Sequence, residues 1–175
     1  MQSAIAAWRA QGMLVATDNP PLVLADGCLA AANRCPAGDG EGRARLLGIG
    51  LAAIDTVLGP PRPPCGDSYQ AELHRVRGEL LLARDGLAAA GEAEACFGRA
   101  LALGRDQGAL AWELRAAMSL VRLLSTRPVR SGEDLTGLHG REEVRELLAG
   151  IYGRFTEGFD TADLVEARAL LEQLE

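Results

Sequence analysis

Residues Ala93–Leu103 read AEACFGRALAL, and the spacing of Ala93, Phe97 and Ala100 decides the fold. Positions at i, i+4 and i+7 fall on one face of a helix. The two alanines let a second helix axis come close, and the large ring of Phe97 fills the hole between the axes. The stretch therefore predicts one helix of a stacked helical repeat.

Composition agrees with that expectation. The 175 residues are enough for one domain with a buried core. Apolar residues make up 48% but aromatic residues only 4%, so Ala, Leu and Val must build an interior of closely packed helices rather than a β-sandwich. The net charge of −6, with a pI near 5.0, works against nucleic acid and anionic membrane surfaces as partners. All 18 basic residues are arginine. Without lysine the chain can carry neither a P-loop, nor a Schiff-base amine, nor a kinase strand lysine. The same bias fits codon usage in a GC-rich genome.

Cys28, Cys35, Cys65 and Cys96 form no C-x2-C pair and have only His74 and His139 as companions, which argues against a zinc site. Cys96 reads as a small buried hydrophobe, and Cys65, in GPPRPPCGDS, as the most exposed of the four. No basic n-region precedes the Ala-rich start and no apolar run approaches 18 residues, so neither a signal peptide nor a membrane span is expected. The expected location is the cytoplasm, with no metal and no cofactor.

Helix starts and stops alternate along the chain at hairpin spacing. Residues 2–12 predict a first helix with Ile5 and Trp8 on one face. Asp18, Asn19 and Pro20–Pro21 break it and launch a second, with Leu22, Ala25, Leu29 and Ala32 in line and an end near Asn33. A breaker-rich turn, Cys35–Gly42, precedes a helix carrying Leu47, Leu51, Ile54 and Leu58, which Gly48 and Gly50 either weaken or open to close packing. The Pro/Gly linker 59–68 leads to helices over about 69–84, with Leu73, Val76, Leu80 and Ala83 aligned, and about 90–105. A helix over about 109–125 aligns Leu110, Leu114, Ala117, Met118 and Val121. After the polar stretch 125–140, Val144, Leu147, Leu148, Ile151, Tyr152 and Phe155 form a continuous stripe. Asp160 or Thr161 then caps a last helix, with Leu164, Ala167, Leu171 and Leu174 facing inward.

Set against the tetratricopeptide pattern W-x2-L-G-x2-Y followed by A-x3-F, the chain offers His74, Arg77, Gly78 and Leu81, then Ala93 and Phe97. A second match runs through Trp112, Arg115, Ala116 and Ser119, then Val144, Leu148 and Ile151. Arg105 stands where the pattern has proline, and both repeats carry extra residues between their helices. The strings AELHRVRGELLLA, WELRAAMSLVRLL and YGRFTEGFDTADLVEARALLEQL resemble the C-terminal repeat region of bacterial multidomain signalling ATPases, the cyclase-linked or regulator-linked kind. The likeness covers residues 69–175 well and the first 68 loosely. It implies an all-α fold of about eight helices, in antiparallel hairpins stacked as a right-handed solenoid. One domain, 1–175, would hold degenerate repeats (1–58), the linker, a repeat (69–107), a second repeat (109–155) with the insertion 125–140, and a capping helix (161–174). Met1 opening on half a repeat is expected of a truncated form or a shortened gene.

In proteins of that kind catalysis belongs to other modules, so the resemblance implies a non-enzymatic scaffold for a protein or peptide partner. The alternative it allows is a small-molecule effector sensor; self-association is open. The partner face, lined by the first helix of each pair, would present Arg75, Glu79 and Glu113. Gly78, Ala93, Phe97, Ala100, Trp112, Ala116 and Leu148 would be structural, with Trp112 packed between helices. No catalytic residue is assigned. Glu92, Glu94, Glu142 and Glu143 complement helix dipoles, and the acids of GDGEG (38–42) would repel phosphate.

Overall fold

The computed structural model describes residues 19–59, 69–126 and 141–174. Among them are seven α-helices and no strand: α1 (Pro20–Arg34), α2 (Gly40–Leu58), α3 (Gln70–Asp85), α4 (Ala90–Asp106), α5 (Leu110–Thr126), α6 (Arg141–Tyr152) and α7 (Ala162–Gln173). A single 3-10 turn, Gly86–Ala89, joins α3 to α4. The all-helical class expected from composition and spacing is therefore observed. The expected helix 2–12, the linker 60–68 with Cys65, and residues 127–140 of the insertion lie outside the described residues.

Local chemistry sets the helix ends. The Asn19 side chain accepts a hydrogen bond from the Leu22 N–H at 3.2 Å, while Pro20 and Pro21 occupy the first turn, where no N–H is needed. Asp39 accepts from the Gly42 N–H at 2.9 Å. That cap draws α2 back to Gly40, so the GDGEG run, expected as turn through Gly42, is a helix N-terminus. The tight passage from α4 to α5 depends on Gly108 at φ 64°. Its N–H donates to the Arg105 carbonyl, and the Ala109 N–H donates to the Gly104 carbonyl at 2.8 Å, closing the helix by a Schellman pattern. Thr161 holds the cap position of α7, but its hydroxyl donates to the Gly158 carbonyl and accepts nothing from the helix. Helix α6 stops at Tyr152, and Phe155 joins the same apolar cluster from the turn beyond.

Each helix packs on the next, and α1, α3, α5 and α7 also touch in series; among the described residues α2, α4 and α6 make no comparable contact with one another. Helix α5 lies in the middle and is buried nearly all round. The hairpin α3–α4 closes on Gly78 and Phe97. A Cβ on Gly78 would lie 2.5 Å from Cε1 of the ring, so only glycine admits Phe97 at this separation. Phe97 is fully buried, in one cluster with Ala90, Ala93, Leu120 and Leu123. In the α5–α6 hairpin Ala116 and Leu148 are also fully buried, in one cluster with Leu114, Ala117 and Val144. Of the two glycines in α2, Gly50 serves close packing: a Cβ there would come 3.0 Å from Cδ2 of Leu80, whereas Gly48 faces open space. Trp112 is half-buried, its ring centroid 6.2 Å from that of Tyr69 where α3 and α5 begin.

Candidate functional site

The odd-numbered helices share a charged face. On α3, Glu72, Arg75 and Glu79 follow one another at i, i+3 and i+7, the spacing that brings side chains together along a helix. Arg75 donates from Nε and Nη2 to both oxygens of Glu72, at 2.9 and 2.8 Å, a bidentate pair that fixes the guanidinium plane. Its Nη1 lies 3.7 Å from Glu79 Oε1. From α5, Arg115 Nη1 reaches Glu72 at 3.4 Å while its Nε donates to Asp163 of α7 at 2.7 Å. The Ser119 hydroxyl, also on α5, donates to Glu79 at 2.6 Å. Arg122 and Glu166 pair α5 with α7 one turn further on. Asp26 of α1 comes near enough to feel Arg75, Glu72 and Arg115. Three successive odd helices, α3, α5 and α7, are thus joined in one connected group, with Asp26 of α1 close enough to feel its charges.

Burial and pairing pull its titrations in opposite directions. Glu72 is 4% exposed; burial alone would push its carboxyl up, but Arg75 and Arg115 outweigh that and hold it below the usual carboxylate range. Asp26 goes the other way. Burial raises its pKa, Arg75 only partly offsets the rise, and the neighbouring charge of Glu72 adds to it. Burial lowers the pKa of Arg115, but Glu72 and Asp163 reverse the sign and leave it raised.

Of the three residues assigned to the partner face, Arg75 and Glu79 sit within this group and Glu113 does not. Glu113 is 1% exposed and lies where α4 ends and α5 begins. Its two oxygens accept from Arg105 Nε at 3.1 Å and from Arg154 Nη1 at 2.6 Å. Gly104 lets α5 approach so closely that a Cβ on it would stand 2.9 Å from the Glu113 nitrogen. The carboxylate ties the end of α4 and the turn after α6 to the start of α5. The residues assigned structural positions, Gly78, Ala93, Phe97, Ala100, Ala116 and Leu148, are all buried.

Sequence reasoning passed over Glu72, Asp26, Arg115, Ser119 and Asp163 as members of the group. The Glu72–Arg75–Glu79 spacing was the one local signal for it. Arg115 and Asp163 are 48 residues apart, and Arg115 and Glu72 are 43 apart, so their meeting depends on how the helices stack.

Two depressions flank α3. A groove of about 580 Å³ runs between α2 and α4, where Arg77 donates to Asp55 at 3.0 Å and lies 3.4 Å from Cys96 Sγ, with His74 and Arg99 on its walls. The other, of about 340 Å³, lies between the C-terminal halves of α3 and α5, bordered by Glu79, Ser119 and Arg122 and by Leu82, Leu87 and Leu123. Both are open to solvent. Among the described residues no group of His, Cys, Asp and Glu could hold a metal ion, and no helix is long and apolar enough to cross a membrane. Compared with family models, curated proteins and solved structures, the chain matches none.

Proposed function

We propose that this protein is a non-catalytic helical-repeat scaffold that holds a protein or peptide partner on the charged face of its odd-numbered helices. In this reading the helices form a tetratricopeptide-like right-handed solenoid of eight, similar to the repeat region of bacterial signalling ATPases, and work in the cytoplasm. One observation carries it. Glu72, Arg75, Glu79, Arg115, Ser119 and Asp163 come from three separate helices yet are joined by hydrogen bonds into one group, so a bound segment would be read at several points along the stack. Residues such as Glu79, Arg122 and Glu166 offer polar atoms to a ligand while the buried members hold them in position. The open grooves favour a docked segment over an enclosed effector, the reading that a small-molecule sensor would need.

A photo-crosslinking side chain placed at Glu166 or Arg122, and as a control at Arg99 on the α2–α4 side, tests this. Partner peptides should be captured from the first two positions, saturably, and not from the third. Capture from Arg99 alone would overturn the assignment of the face. Incubation of the purified chain with ATP and GTP is expected to give no turnover, since the chain has no lysine to serve a P-loop. Turnover that survives repurification and the substitutions Glu142→Gln and Glu143→Gln would overturn the non-catalytic reading.

A further inference from the structure

Glu113 holds two arginines where one would neutralise it. The carboxylate is 1% exposed, and its oxygens accept from Arg105 Nε at 3.1 Å and from Arg154 Nη1 at 2.6 Å. A buried carboxylate needs a charged partner, and a single guanidinium supplies the opposite charge. The second leaves a positive charge in excess, in a chain whose net charge is −6.

Glu72 also holds two arginines, and the contrast between the two clusters is informative. There each guanidinium reaches a second carboxylate: Arg75 lies 3.7 Å from Glu79, and Arg115 donates to Asp163 at 2.7 Å. Among the described residues Arg105 and Arg154 form ion pairs with Glu113 alone, although Asp106 and Glu157 are close along the chain. The side chains of Arg105 and Arg154 are 58% and 51% exposed. A guanidinium carries five N–H donors, and each of these two spends one on Glu113. The terminal nitrogens of Arg105, and Nε and Nη2 of Arg154, are left for a ligand.

The backbone fixes where the two forks start. Arg105 lies in the last turn of α4, where its carbonyl accepts from the Gly108 N–H at 3.1 Å. Arg154 lies in the turn after α6, its own N–H donating to the Ile151 carbonyl at 3.1 Å. The close approach of α5 at Gly104 sets Glu113 between them. Because both guanidiniums are anchored on one carboxylate, the two anchoring nitrogens stand within about 8 Å of each other. Much of the side-chain ordering that binding would cost is thus already met.

We propose that Arg105 and Arg154 form a phosphate-binding clamp, held ready by Glu113, for inorganic phosphate or the phosphate of a phosphorylated side chain. The forks come from two different chain segments, so an anion with oxygens in several directions suits them better than a planar carboxylate. A phosphate monoester also brings about −1.5 to −2 charges at neutral pH to the excess positive charge. Glu113 acts as a positioning residue. The clamp shares no residue with the charged face of the odd-numbered helices and stands or falls apart from it.

Titration of the 15N-labelled full chain with inorganic phosphate, at an ionic strength held constant with sodium chloride, tests the clamp. The Nε–Hε signals of Arg105 and Arg154, assigned by substitution, should shift together and saturate. Arg105→Gln, at an exposed position, should weaken phosphate binding about tenfold, and Arg105→Lys should restore only part of the loss. Arg99→Gln should leave binding unchanged. Glu113→Gln adds a positive charge to the site yet should weaken binding, because the forks lose their common anchor. A short peptide with one phosphoserine that binds more tightly than inorganic phosphate makes a phosphorylated partner the source of the ligand; one that binds no more tightly makes it free phosphate. Three outcomes overturn the proposal: signals that follow ionic strength and not phosphate, binding that survives Arg105→Gln unchanged, and tighter binding in Glu113→Gln, which reduces the site to bare charge. Should Glu113→Gln lose its helical circular-dichroism signal, Arg105→Gln decides.

Discussion

Helix α3 is held on its two sides by different physics. Toward α4 it meets a dry contact of shape, with Gly78 lying flat against the ring of Phe97. Toward α5 it adds a charged connection, in which Glu72 is the shared acceptor of Arg75 and of Arg115, and Arg115 in turn reaches Asp163 of α7. The first contact lies within a hairpin and the second between hairpins. Shape contacts respond to a methylene of added or lost volume and hardly at all to pH; charged contacts respond to both protonation and salt. These two contacts are therefore set by separable means, while apolar packing also joins neighbouring hairpins, as where Leu47, Leu51 and Ile54 of α2 meet Leu73, Val76 and Leu80 of α3.

The dry contact should show the largest effects. Phe97→Ala leaves a cavity lined by Ala93, Leu120 and Leu123 and is expected to cost about 3–5 kcal/mol of unfolding free energy. Denaturant titration checks this, and a loss under about 1 kcal/mol would show the ring to be peripheral. Next comes Gly78→Ala, where the added Cβ overlaps the ring and should cost about 1–3 kcal/mol. Combining it with Phe97→Leu shortens the side chain that the added Cβ meets. The double variant should be more stable than the sum of the two losses, and strict additivity would show that the Cβ and the ring do not meet.

The charged joint should show smaller effects that change with pH. Glu72→Gln leaves Arg75 without its bidentate partner and should destabilise by about 1–3 kcal/mol at neutral pH. Because the folded pKa of Glu72 is depressed, its contribution is present above the unfolded value and is lost as pH falls through the folded one. The gap between wild type and Glu72→Gln should therefore close in acid, as seen by thermal unfolding at a series of pH values. The smallest effect belongs to Asp26→Asn, with the opposite sign. A raised pKa means that the folded protein takes up this proton more readily than the unfolded chain, so the charge costs stability at neutral pH and the cost fades as pH falls through the raised value. The variant should gain less than about 1 kcal/mol at neutral pH. A loss of stability at neutral pH would show that Asp26 acts mainly as a partner of Arg75.

The helices and their breaks were legible because they are local. Asn19 with two prolines and the apolar period of three to four residues each act within one or two turns. The A-x3-F spacing even announced which residues would be buried, since a small residue and a ring on one face have few other uses. Where local rules misled, a neighbouring group had taken the residue: Thr161 turns its hydroxyl to Gly158, and Asp39 starts a helix inside a run of glycines.

By itself the sequence determined the helical class, the hairpin rhythm and the burial of Phe97, because periodicity, capping and volume are encoded within a few residues of one another. Only the tertiary structure decided which charges meet. Arg75, Glu79 and Glu113 all occupy first helices of their pairs, yet the stacking brings Ser119 to Glu79 and Arg115 to the Glu72 that holds Arg75, and buries Glu113 against Arg105 and Arg154. The rotation of one helix against the next chooses the partner of a charge, and that rotation is set by the packing of the whole interface, a sum over residues as far apart as Glu72 and Asp163.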